Sequence, residues 1–151
     1  MTAEQQQTLE QKKTAFTAFL EERKPVLIEF FELIQVENPE TVLAEARNYV
    51  GIFDVFMKDQ DVSPESRTWI LTVAGYLLGE YFAQEFSGSW YVNEDPKSRF
   101  FAQYVVGKFE DMNAAICIDP FSVAMEYVDT PAPRSVPDLI LSVGTELNRR
   151  S

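Results

Sequence analysis

The side chains that most enzymes use for proton transfer, nucleophilic attack and zinc binding are almost missing from this sequence, which has no histidine and a single cysteine, Cys117. Serine and cysteine nucleophiles are usually activated by an adjacent imidazole, so Ser-His-Asp and Cys-His arrangements are excluded. A tetrahedral zinc site needs histidine or cysteine ligands, and one thiol cannot supply it. No G-x-x-x-x-G-K-[ST] or G-x-G-x-x-G run occurs, so nucleotide phosphates have no recognisable cradle. Asp54, Asp59 and Asp61 lack the calcium-loop pattern, with no glycine at its turn position, and read as a solvated helix end. No metal and no cofactor is expected.

Carboxylate chemistry remains. Its candidate is Glu80, in Leu77-Leu78-Gly79-Glu80-Tyr81. Positions 73, 76, 77 and 80 share one helix face, so Glu80 lies at or beside an apolar stripe. A carboxylate there is costly to bury unless it is hydrogen-bonded or paired. Two readings follow. Glu80 is a general acid or ligand contact, with Tyr76, Tyr81 or Trp90 beside it. Alternatively it is a structural group accepting from the Trp90 indole, from strand amides or from Arg99. A second candidate is Gly88-Ser89-Trp90-Tyr91, where helix meets sheet. Trp90 and Tyr91 could floor a ligand pocket or anchor an interface, or Trp90 could pack the helix on the sheet.

The elements that must position these residues follow from spacing and punctuation. Thr2 can cap a helix reaching about Arg23, with a Gln-rich start over residues 1–8 that is expected to fray. Pro25 can open a second helix or sit inside one kinked helix over 3–36; both alternatives stand. Asn38-Pro39-Glu40 signals a helix running to about Met57, and Ser63-Pro64-Glu65 repeats that grammar. The helix after Ser63 is apolar around most of its girth, which makes it central, and Gly88 is placed to end it in the left-handed conformation. Beyond it the period changes. Trp90–Val92, Arg99–Val106 and Ala114–Ile118 read as three strands. Asp119-Pro120 starts a short helix, residues 129–135 form an extended linker, and a last helix starts near Ser135–Pro137. The expectation is one α+β domain over residues 1–151: N-terminal helices packed with a small three-stranded antiparallel sheet, then two short C-terminal helices.

Composition bounds the partners. Twenty-four acids against thirteen bases give a net charge of −11. Residues 25–66 hold nine acids and two bases, and residues 110–130 hold five acids and no base. Such a field repels phosphate backbones and anionic membranes, so neither nucleic acid nor membrane is an expected partner. It suits a basic protein. Phe100, Phe101 and Tyr104 cannot all point inward from one strand, which argues for a second covered face, under another helix or against a partner such as a second copy of the chain. A lone cysteine and an N-terminus without a basic, apolar leader fit a cytoplasmic protein.

The run Trp69-Ile70-Leu71, then Leu77-Leu78-Gly79-Glu80-Tyr81-Phe82, then Gly88-Ser89-Trp90, with Asp119-Pro120-Phe121-Ser122-Val123 downstream, resembles small bacterial α+β domains. In those a Leu-Gly-Glu helix leads to a Gly-x-Trp strand and a Pro-Phe opens a later helix. Some are similar to immunity proteins that neutralise secreted toxins. The resemblance covers about residues 67–128 and departs at Ser87-Gly88, where a paired glycine is more usual. Two expectations of function follow: a non-enzymatic acidic protein, immunity-like, that binds a protein partner, or a small carboxylate-dependent hydrolase or ligand-binding domain centred on Glu80.

Overall fold

The computed structural model describes residues 1–150, with side chains through Leu147. Helix α1 is continuous over Ala3–Leu33. Its start is a capping box: the Thr2 hydroxyl accepts from the Gln5 amide at 3.0 Å, and the Gln5 side chain accepts from the Thr2 amide at 2.8 Å. Pro25 lies inside the helix without ending it. The Glu21 carbonyl loses its donor there on an exposed face, where water can replace it. Val26, Leu27, Phe30 and Phe31 bury the second half of α1 against the core.

The helix expected over Asn38–Met57 is divided. Asn38 sits in the left-handed region (φ 51°) and makes no capping bond, so the Pro39 start closes only a 3-10 turn, Pro39–Thr41. Helix α2 begins at Ala46 and runs to Met57. An N-cap needs an extended backbone, which Asn38 lacks. Ser63 has it, accepts from the Ser66 amide at 3.2 Å, and starts α3, Pro64–Glu85. Residues from Val73 to Phe82 along α3 are all buried, which makes it the central element.

Gly88 does not end α3 in the left-handed conformation; Ser87 does, at φ 53°. The Gly88 amide then donates to the Ala83 carbonyl at 2.9 Å, closing a Schellman motif with Ser87 where glycine is usual. Gly88 is needed for closeness, since a Cβ there would stand 2.6 Å from the Gly107 carbonyl oxygen.

Three antiparallel strands follow in the order β1 (Ser89–Val92), β2 (Tyr104–Gly107), β3 (Cys117–Ile118). The second and third are shorter than their composition suggested, because polar side chains upstream close turns. Asn93 Oδ1 accepts from the Asp95 amide, Ser98 Oγ from the Phe100 amide, and Asn113 Oδ1 from the Ala115 amide. Phe100 and Phe101 therefore lie in a turn. Phe101, Tyr104, Val92 and Ala102 pack with Leu9 and Phe16 beneath the N-terminal half of α1. Phe101 and Tyr104 are thus covered within the chain, whereas Phe100 lies part-exposed under Arg99 at the side of a cleft.

Asp119 caps α4 (Pro120–Asp129), and the chain then reaches α5 (Val136–Arg150). Asp54 on α2 accepts from the Val136 amide at 2.7 Å, so a side chain from α2 caps α5. Buried Arg134 donates to the Met57 and Gln60 carbonyls at 2.8 and 2.7 Å and satisfies the C-terminal end of α2. The architecture is α+β, five helices around a small meander. None of the helices is long and apolar enough to cross a membrane, among the described residues.

Candidate functional site

Gly75 and Gly79, four residues apart, open a notch along α3. A Cβ at Gly79 would overlap the Trp90 ring, and one at Gly75 would overlap the Phe121 ring. Both aromatics settle against bare helix backbone. Trp90 is thereby held one residue from Glu80 along the helix, with its indole N–H aimed at the carboxylate. Trp90 Nε1 donates to Glu80 Oε1 at 3.0 Å, and the Arg23 guanidinium donates to the same oxygen. Arg23 comes from α1, 57 residues away in sequence, and its Nε also donates to the Leu20 carbonyl at 2.8 Å. Glu80 is 7% exposed.

Tyr76, one turn before Glu80, is fully buried. Its hydroxyl stands 3.1 Å from the Phe19 carbonyl and 3.0 Å from Glu22 Oε2 and can donate to one of them at a time. Burial, reinforced by the hydrogen bond to the Glu22 carboxylate, raises its pKa well above the ordinary tyrosine value. Phe19 is the hub of the surrounding rings, 5.1 Å from Tyr76, 5.2 Å from Trp90, 4.1 Å from Tyr104 and 5.9 Å from Phe121.

The structure therefore brings Glu80, Tyr76 and Trp90 together and separates Tyr81 and Tyr91 from them. Tyr81 packs on Phe82 at 5.6 Å, and burial together with Glu85 raises its pKa. Tyr91 points to the opposite face of β1. Its ring crosses Gly107, where a Cβ would stand 2.9 Å from the Tyr91 hydroxyl, and reaches Cys117. Burial, then Cys117, pushes Tyr91 up to about 12. The Cys117 thiol is raised as well, chiefly by burial, so little thiolate forms near neutrality. Arg99, expected beside Glu80, instead stacks over Phe100 at 4.5 Å. Sequence reasoning missed Arg23 and Arg134, since neither long-range contact leaves a local signal.

Four surface clefts are lined without Glu80. One of them, about 720 Å³, lies between the Arg99–Gln103 turn, β3, α4 and α5. Its Asp119 accepts from the Phe121 and Ser122 amides and from Ser122 Oγ at 3.0–3.3 Å, the work of a helix cap. No group of three or more cysteine, aspartate or glutamate side chains among the described residues could hold a metal ion. The exposed carboxylates concentrate elsewhere. Glu29, Glu32, Glu37, Asp59 and Asp61 are exposed and have no basic partner within 4 Å among the described residues; exposed Leu33 ends α1, which carries Glu29 and Glu32, and Val55, 80% exposed, is on α2, which precedes Asp59 and Asp61. No protein-family model matches this chain, and no curated protein or solved structure is similar to it.

Proposed function

We propose that this chain is a non-enzymatic binding protein whose acidic surface docks a basic protein, an immunity-like role in a reducing, cytoplasmic setting. The observation that carries the reading is the division of labour among its carboxylates. Glu80, an acid set among apolar residues, is held by Arg23 and Trp90 inside the core with 7% of its surface exposed. The unpaired acids of residues 29–61 face solvent, with exposed Leu33 and Val55 among them as apolar anchors. Acids of one sign accelerate encounter with a basic partner, and apolar side chains supply the burial that retains it. A single cysteine in the sequence is in keeping with a reducing compartment.

The test is calorimetric titration with a small, strongly basic protein such as lysozyme as the probe. The expected result is association that weakens steeply with salt and falls at least about tenfold when Glu29, Glu32 and Asp59 are reversed to lysine. Binding that ignores both salt and these reversals, or no binding, defeats the proposal.

A further inference from the structure

The oppositely charged part of the surface carries a separate inference. Strand β1 is an edge of the sheet. Asn93, which follows it, bonds toward the β2 side through both its amide and its carbonyl, to Gln103 and Ala102 at 3.0 and 2.7 Å. Backbone groups alternate along an antiparallel strand, so Tyr91 and Ser89 also bond to β2, and the amides and carbonyls of Trp90 and Val92 point away from the sheet. No loop, helix or side chain among the described residues hydrogen-bonds them. An open cavity of about 380 Å³ is lined by Lys13, Phe16, Tyr91, Val92, Glu94 and Lys108. Tyr91 and Val92 point to opposite faces of the strand, so a cavity touching both runs along its edge.

Charge distinguishes this groove from the rest of the chain. Lys108 lies over the Tyr91 ring at 4.7 Å and Lys12 over the Tyr104 ring at 4.7 Å, and neither has a carboxylate within 4 Å among the described residues. Lys13 pairs with Glu94 at 3.2 Å, both well exposed. Among the described residues the groove is lined by two lysines and one glutamate, so it carries a small positive excess, with Lys108 its unpaired cation.

We propose that the free edge of β1 accepts an extended acidic peptide segment of a partner protein as a fourth, antiparallel strand. The main chain would bond to Trp90 and Val92, side chains on one face of the added strand would rest on Phe16 beside Lys13, and those on its other face on Tyr91 beside Lys108. This surface is distinct from the acidic one, and either proposal can fail alone.

The probe is a fluorescein-labelled octapeptide of threonine and valine with adjacent glutamates, which put a carboxylate on each face of the strand, titrated at low salt, with amide NMR shifts and hydrogen exchange read on the full chain. The expected result is saturable binding below about 1 mM, with the largest shifts and new exchange protection at the Trp90 and Val92 amides. Lys13→Glu combined with Lys108→Glu, both at exposed sites, weakens binding by about tenfold or more. Val92→Pro removes one outward donor and abolishes binding if its circular dichroism stays unchanged; should that variant unfold, the lysine reversals decide. No binding, equal binding by the reversed variant, shifts mapping elsewhere, or a β1-to-β1 homodimer occupying the edge would each overturn the proposal.

Discussion

Replacing Arg23 and Glu80 singly and together tests whether the carboxylate in the core is a structural group. Glu80's side chain is 9% exposed and Arg23's is 21% exposed, and both the guanidinium and the Trp90 indole meet one oxygen. Arg23→Met leaves a buried carboxylate with the indole N–H as its remaining donor, a loss of about 3 kcal/mol, at the lower end for an uncompensated buried charge. Glu80→Gln keeps an acceptor for Trp90, and the more exposed Arg23 can turn toward solvent, so the loss is about 1–2 kcal/mol. The double variant has no stranded charge and loses about 2 kcal/mol rather than the sum, leaving a coupling of about 2–3 kcal/mol. Urea unfolding followed by tryptophan fluorescence reads all four proteins, since Trp90 sits on the network. Additive losses, or Glu80→Gln costing more than Arg23→Met, would refute the reasoning and return Glu80 to the list of functional acids.

Gly79→Ala drives a methyl into the rigid Trp90 ring and lowers unfolding free energy by about 3 kcal/mol, the upper end for overpacking, measured in the same urea assay. Ser87→Gly relieves a left-handed serine and raises thermal stability, by about 1 kcal/mol. Tyr127 is buried with its hydroxyl unpaired, so Tyr127→Phe is neutral or stabilising by about 1 kcal/mol in chemical denaturation; a clear loss would mean the hydroxyl has a partner. Burial raises Tyr76, Tyr91 and Tyr127, so the folded state holds those protons to higher pH than the unfolded chain does. Stability should be unaffected by these groups below pH 10 and fall as pH rises from 10 through about 12, where Tyr91 titrates, with tyrosinate absorbance rising in step with unfolding.

What was legible in the sequence was local. Ser63-Pro64 and Asp119-Pro120 start helices where expected because cap, proline and first turn lie within four residues. The same signal misled at Asn38, because asparagine both caps helices and enters the left-handed region more readily than other non-glycine residues, and here it does the second. Strand composition over Arg99–Val106 lost to Ser98 and Asn93, whose side chains bond the nearby backbone and hold residues 98–103 in a turn. The Glu80–Trp90 bond was within reach, ten residues apart across a single turn, whereas Arg23 was not. Two separations were legible and overlooked. Strand alternation puts Trp90 and Tyr91 on opposite faces, and a helix turns about 100° from Glu80 to Tyr81.

An ion pair in a core is a weak stabiliser, since apolar residues of the same volume serve as well or better, so its retention calls for another account. Here one oxygen ties α1, α3 and β1 together. Tyr76 and Tyr104 tether α1 as well, donating to the Phe19 and Lys12 carbonyls at 3.1 and 2.9 Å, so Arg23 shares with them the fixing of its register. In that register Lys13 and Phe16 stand beside the open edge of β1. The pair therefore acts on the surface through the position of α1. The Arg23→Met/Glu80→Gln protein should stay folded yet bind the acidic octapeptide more weakly than the parent. If it binds equally well, the network fixes the core alone and the edge groove owes it nothing.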